Sequence, residues 1–472
     1  MAEQSRRDHR SQATTGLEAR RAALAALRAV DEHDAFSNLA VPAAVSLLRD
    51  ARDRSFASHL AYDTLRWQGT LDWALEHVLD RPLTAVEPAL QRLLRLGALQ
   101  LLHSHVPPRA AVATTVELAR EAVPKRRTRG AAAFVNGVLR ALGRRQGLGQ
   151  GFGEAFDWPD PVLDPVANLA LTTAHPPWMA AELLQRLGPA EARRALEADN
   201  VPPGLTLRAV GDRDELIAEL RSAGVDALPG GLAPEAVRAR GADPRSLAAV
   251  EEGRAVPQDE ASMLVVHATR VRDGDRVLDL CAGPGGKTTH LATLAGPRGE
   301  VVAVELYPGR AELIVEAAAK VGVAVDVRVG DGTDPPVEGT FDVVLVDAPC
   351  TGIGTGRRRP EIRWRRTPQD AHELADLQRR LLAAGAERVR PGGHLTYAAC
   401  TWTATETTAI VHDFLGRTSG ARTGRTFGAR TGRTFGARPA LSDRFALVEE
   451  SQRWPHHDGT DGMYHATLRR QR

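Results

Sequence analysis

The chain has 472 residues, 43% of them hydrophobic and 25% charged, with three cysteines and a formal charge of +2. Such a chain is long enough for two or three domains and reads as globular. No apolar run could span a bilayer, the polar N-terminus lacks the apolar core of a signal peptide, and the widely spaced cysteines give neither a disulfide framework nor metal-ligand spacing. A cytoplasmic monomer without metal and without membrane attachment is therefore expected.

The charge is unevenly spread. Residues 1–150 hold 22 Lys plus Arg against 15 Asp plus Glu, whereas residues 151–260 hold 10 against 19. The front of the chain is thus the expected polyanion surface. After a disordered tail at 1–16, helical periodicity recurs at 22–30, 56–65, 90–102, 112–119 and 134–142, with Pro82, Pro88, Pro107 and Pro108 between the segments. This predicts an all-helical domain over 17–146. It carries a basic cluster, Arg120, Lys125, Arg126, Arg127, Arg129, Arg140, Arg144 and Arg145, suited to RNA phosphates.

A glycine-rich linker at 147–153 leads into a small acidic α+β module that ends near 256. From 257 to 472 strand and helix patterns alternate, predicting a Rossmann-like, doubly wound α/β domain. Within it GARTGRTF at 420–427 is repeated at 428–435, and a third copy begins at Gly436. This arginine-rich stretch within 416–440 is expected to be a flexible insertion.

The chemistry centres on RVLDLCAGPGGKTTH, 276–290, which reads as strand, glycine turn and helix. A phosphate loop G-x-x-x-x-G-K-[ST] fails because Cys281 stands at its first glycine, and G-x-G-x-x-G fails because Thr288 stands at its third. An acid-bordered turn suits instead a cofactor without a phosphate chain, the sulfonium S-adenosylmethionine (SAM). Later apolar runs each deliver an acid at their carboxyl end. Glu305 is placed to accept from ribose hydroxyls, Asp331 to accept from an adenine amino group, and Asp347 ends the next run.

Cys350 and Cys400 also follow strands and are expected on the same edge. Carbon 5 of a pyrimidine is too weak a nucleophile to take a methyl group directly, so a thiolate must first add to C6. Two thiols beside a methyl donor point to that reaction. Basic residues Arg357, Arg358, Arg359, Arg363, Arg365 and Arg366 around Trp364 suggest a second RNA contact.

Residues 17–146 resemble NusB-type RNA-binding domains through Asp53-Arg54, Phe56-Ala57, LRLGALQLL at 94–102 and FVNGVLR at 134–140. Nearly the whole chain resembles the RNA cytosine-C5 methyltransferases of the RsmB/Fmu (Sun) type. The motifs are His175-Pro176-Pro177-Trp178, Gln258-Asp259-Glu260-Ala261-Ser262, CAGPGGKT at 281–288, Arg359-Pro360-Glu361-Ile362-Arg363-Trp364 and Asp461-Gly462-Met463-Tyr464. The resemblance implies methylation of a cytosine in 16S ribosomal RNA, unassembled or partly assembled. It implies Cys400 as nucleophile, Cys350 in product release, and Asp347 near both base and cofactor. Cys281, Ala282, Gly283, Pro284, Gly285, Gly286, Lys287, Glu305, Asp331 and Asp347 would line the SAM site. Thr403-Ala404-Thr405-Glu406 stands where such proteins carry a proline-led acidic run. Transfer RNA as substrate, a non-catalytic NusB-like assembly factor, and an NTPase built on the FDVVLVDAP strand are the competing readings.

Overall fold

The computed structural model describes residues 2–145, 156–416 and 444–472, with side chains from Gly16 onward. The linker at 147–153 and the GARTGRTF repeats lie outside these residues. The chain forms two compact units, one of 1–201 with 356–365 and one of 202–355 with 366–472. The division thus falls within the stretch read as one linker and α+β module.

The first unit is helical. Helices run Ala2–His33, Ser37–Val45, Ala51–Arg66, Gln68–Glu76, Pro88–Leu102, Pro108–Glu121 and Thr128–Arg145, so the tail expected to be disordered over 1–16 is helical from Ala2. Pro88 and Pro108 begin helices because the first turn needs no N–H donor there. LRLGALQLL is apolar nearly all round, as a helix in the middle of a core must be. Leu94, Leu96, Leu99 and Leu102 are accordingly buried, each contributing about 1.5–3 kcal/mol of apolar burial. A long helix, Pro177–Asp199, kinks at Gly188, whose φ of 75° breaks the helical run before Pro189.

Gly356–Arg365, the stretch expected to contact RNA, is instead seated inside this helical unit. Arg363 is 1% exposed. It donates to Asp199 Oδ2 at 3.0 Å, Asn200 Oδ1 at 2.7 Å and the Ala174 carbonyl at 3.2 Å. Trp364 Nε1 donates to the Leu65 carbonyl at 2.7 Å, and its ring lies so close to Gly69 that a Cβ there would collide with it. Arg357 Nε donates to the Val201 carbonyl, Arg365 to the Asp34 and Ala35 carbonyls, and Glu361 accepts from Ser37 N. These groups are used within the fold and are not offered to a nucleic acid.

The second unit holds two sheets. In the smaller, β1 (Leu205–Ala209), β2 (Asp226–Pro229), β3 (Ala236–Arg240) and β4 (Ala255–Pro257) lie antiparallel in the order β2-β3-β1-β4. The larger has seven strands: β5 (Arg276–Asp279), β6 (Glu300–Glu305), β7 (Asp326–Val329), β8 (Phe341–Asp347), β9 (Val389–Ala399), β10 (Phe445–Arg453) and β11 (Met463–Arg470). Their order is β10-β11-β9-β8-β5-β6-β7. The run β9-β8-β5-β6-β7 is parallel and β11 is reversed between β9 and β10. Fully buried Val277, Leu278, Val302, Val304, Val343 and Val344 explain why these strands read as continuous apolar runs. The chain winds in opposite directions on either side of β5, so the crevice at its carboxyl end is the topological switch point.

Between the two sheets of this unit, Glu235 accepts from His267 and His290, each through Nε2 at 3.0 Å. The set has the residue types of a metal site, but the buried Arg208 guanidinium acts on Glu235 and His290 and opposes a further cation. His290 is pushed down to about 4 by burial and by Arg208, against its bond to Glu235. A histidine depressed below its unfolded value of 6.5 favours the fold while neutral. Stability should therefore fall as the pH drops from about 6.5 toward 4. His290→Gln should flatten that slope in urea titrations across the window; an unchanged slope would remove His290 as its source.

Candidate active site

Strand β5 ends in the buried Asp279, and 280–285 form the turn before the helix Gly286–Ala295. Gly285 has φ 100°, a conformation that L side chains resist, and a Cβ on Gly283 would collide with the Glu305 carboxylate. Thr288 Oγ1 donates to Asp279 Oδ2 at 2.7 Å, which closes the turn onto its strand. Asp279 Oδ1 is buried with no partner. Burial pushes this carboxyl up to about 7, with Thr288 opposing and the Asp347 charge adding.

The neighbouring strands deliver the expected acids. Glu305, 4% exposed at the end of β6, accepts from Gly283 N and Tyr307 N, each at 3.1 Å. Gly330 N donates to the Glu305 carbonyl and lays the exposed Asp331 beside it; Asp331 accepts from Thr333 N at 2.8 Å. Cys281 packs at the turn among three carboxylates, and burial followed by those charges holds it as a thiol. Lys287 donates to Asp347 at 2.7 Å. Burial disfavours its charge, yet the adjoining Asp347 outweighs that and keeps the ammonium above its ordinary range.

Parallel pairing of β8 and β9 sets Asp347 opposite Ala398, so residues just beyond both strands reach one edge. Cys350 Sγ and Cys400 Sγ lie 3.3 Å apart and share a hydrogen bond, and none of the three cysteines is in a disulfide. The Cys350 thiol is pushed well above its usual range by that bond, by burial and by the charges of Cys400, Glu406 and Asp347. Lys287 is near enough to Cys400 for the two charges to interact. Cys350, Cys400, Asp347 and Lys287 are thus grouped, while Glu305 and Asp331 lie farther along the switch-point edge.

Sequence reasoning missed the residues behind the thiols. Glu406 is fully buried and accepts from Thr351 N, Thr351 Oγ1, Thr401 Oγ1, Thr403 Oγ1 and Gln378 Nε2. The available signal was CTWTATETT at 400–408, in which one acid stands among alternating threonines after the cysteine.

A seven-stranded sheet with one reversed strand, a glycine turn at the switch point and acids on successive strand ends define a class I SAM-dependent methyltransferase. The family model described as 16S rRNA methyltransferase RsmB/F matches residues 266–469, the NusB family 17–144, and the RsmF/B-like ferredoxin-like domain 175–244. A Mycobacterium tuberculosis protein named only as a methyltransferase is 41% identical over 466 residues, 96% of each chain. The ribosomal RNA small subunit methyltransferase B of an Enterobacter species is 32% identical over 407 residues, 85% of this chain and 90% of its own. The solved structure of PH0851 matches with a TM-score of 0.78 at 24% identity, covering 96% of this chain and 98% of that one, and supports the fold. This chain belongs to the RsmB/F family of RNA methyltransferases.

SAM is the cofactor of that class, and the residues fit it. A Cβ on Gly283 would collide with Glu305, Gly285 holds a left-handed turn, Asp279 keeps an orphaned buried oxygen, and the acids suit a cationic sulfonium. Among the described residues no helix is long and apolar enough to cross a membrane.

Proposed function

We propose that this protein methylates carbon 5 of a cytosine in 16S ribosomal RNA through a covalent adduct between Cys400 and C6 of the base. The observation that carries the reading is the facing pair of thiols 3.3 Å apart on the edge where Lys287 meets Asp347. Bound SAM would supply an electrophilic methyl group there, held by 281–287 with Glu305, Asp331 and Asp347.

The Cys400 thiolate adds to C6, forming an S–C6 bond and moving an electron pair to C5, which then takes the methyl group. The ammonium of Lys287 favours the thiolate, and Asp347 both orients Lys287 and faces the base. Loss of the C5 proton restores the ring as the C6–S bond breaks and the sulfur leaves with its electron pair. Water takes the C5 proton, and Cys350, held as a thiol, assists the elimination directly or through water by donating to the departing sulfur. A base inside a stem cannot reach the thiols, so the target must be extruded or unpaired, which favours unassembled or partly assembled RNA. One chain supplies all these groups, so a monomer suffices.

The helical unit supports the RNA reading. Its Arg109, Arg120, Arg140 and Arg144 rim a groove of about 800 Å³ floored by Val112, Val116 and Leu139. Arg126, Arg127 and Arg129 are exposed nearby, and Arg127 also pairs with Glu87. Replacing these three by alanine should reduce the salt slope of RNA binding by about 2, at roughly 0.7–0.9 per lost phosphate contact. An unchanged slope would move the RNA contact elsewhere.

Bisulfite mapping of 16S and transfer RNA from a deletion strain tests the assignment. One 16S cytosine should lose its modification. A loss confined to transfer RNA would replace the substrate, and no loss in either would leave the assembly-factor reading.

A further inference from the structure

The two cysteines are carried by separate loops at adjacent strand ends, and Gly354 N donates to the Cys400 carbonyl at 3.1 Å, which ties the loops at the main chain. Among side chains, one carboxylate reaches both loops. Glu406 Oε1 accepts from Thr351 N at 2.7 Å and from Gln378 Nε2 at 3.2 Å. Its Oε2 lies 2.6 Å from Thr351 Oγ1, 2.8 Å from Thr403 Oγ1 and 3.2 Å from Thr401 Oγ1. Thr351 directly follows Cys350 and Thr401 directly follows Cys400, and their hydroxyls are 3.0 Å apart. Gln378 also donates to the Pro349 carbonyl, the residue before Cys350.

We propose that Glu406 is the positioning residue of the thiol pair, a buried anionic clasp that fixes the Cys350 and Cys400 loops face to face. The proposal deepens the covalent reading above and rests on it for its catalytic consequence. An ionised carboxylate only accepts, so it can take every one of these donors at once. An amide of the same shape must turn an NH₂ toward one side of the set and loses that capacity. Aspartate, one methylene shorter, cannot span both loops. The charge also acts on Cys350 and favours its thiol form.

The test uses full-length protein carrying Glu406→Gln or Glu406→Asp, with Thr401→Val as a milder change that removes one hydroxyl and its bonds to Glu406 and Thr351. Three quantities are read: alkylation of each cysteine by iodoacetamide as a function of pH, located by mass spectrometry; SAM binding by calorimetry; and kcat and KM for RNA methylation. Glu406→Gln should lower kcat at least tenfold, keep the SAM Kd and the RNA KM within twofold, and shift the ratio of Cys400 to Cys350 alkylation at least fivefold toward Cys350. Thr401→Val should move the same ratio in the same direction by less. If both Glu406 variants fail to fold, the Thr401→Val ratio decides. An alkylation ratio within twofold of the parent in every folded variant overturns the proposal, as does a loss of activity accounted for by SAM affinity. The alkylation arm needs neither RNA nor turnover. A Cys400→Ala protein that still methylates RNA would therefore end the covalent reading while the hold of Glu406 on the two thiols is still measured.

Discussion

Cys400→Ala should abolish methyl transfer while SAM binds as before, because the residues proposed to hold the cofactor, 281–287 with Glu305, Asp331 and Asp347, do not include Cys400. Cys350→Ala should give the opposite phenotype. Attack and transfer proceed, but elimination of the sulfur is slow, so RNA stays joined to protein through Cys400 and runs as a retarded band on a denaturing gel. The double variant should show no such band. Loss of an activated nucleophile removes the covalent route altogether, so the expected drop for Cys400→Ala is on the order of 10⁴-fold or more. The structure frames this contrast as a pair held by one hydrogen bond at 3.3 Å, with Cys350 kept as a thiol and Lys287 acting on Cys400. If Cys350→Ala is silent and Cys400→Ala accumulates the adduct, the roles are exchanged.

The largest loss of stability is expected for Arg363→Ala. Its guanidinium is fully buried and bonds to Asp199, Asn200 and the Ala174 carbonyl, and His175 stands 3.2 Å from the same Asp199 oxygen. Removing the cation leaves a buried carboxylate without its main partner, which costs about 3–5 kcal/mol. For a unit of this size that lowers the melting temperature by on the order of 10 °C. Arg363→Lys should recover only part, since one ammonium cannot reproduce the planar set of bonds. A calorimetric scan decides; a change below about 1 kcal/mol would mean that the segment is seated by Trp364 and Arg365 rather than by Arg363.

The sequence made the doubly wound domain legible because its central strands are buried on both faces and end in acids. The strands ending at Asp279, Glu305 and Asp347 could be found from apolar runs alone. The approach of Cys350 and Cys400 followed from strand ends in a parallel sheet. Glu406 was not legible, because a buried acid and an exposed acid look alike until the donors around it are known. The arginines near Trp364 misled for the same reason. A cluster of positive charge implies a polyanion only if the guanidiniums face water, and Arg363 spends its bonds on Asp199 and backbone carbonyls. The helix Ser37–Val45 was missed because Pro42 lies inside it, and Gln68–Glu76 because only Trp67 separates it from Ala51–Arg66.

The ten residues from Gly356 to Arg365 also determine how the enzyme can be cut into pieces. The chain leaves the second unit after Thr355 and rejoins it at Arg366, so a fragment beginning at Pro202 carries this segment without Asp199, Asn200 and Leu65. Such a fragment would expose Trp364 and a run of trypsin-sensitive arginyl bonds a few residues beyond Cys350. Its poor behaviour would say nothing about whether the helical domain recognises RNA. Dissecting the two roles calls for point changes on the arginine face of the intact chain, or for fragments that are co-expressed and allowed to reassemble.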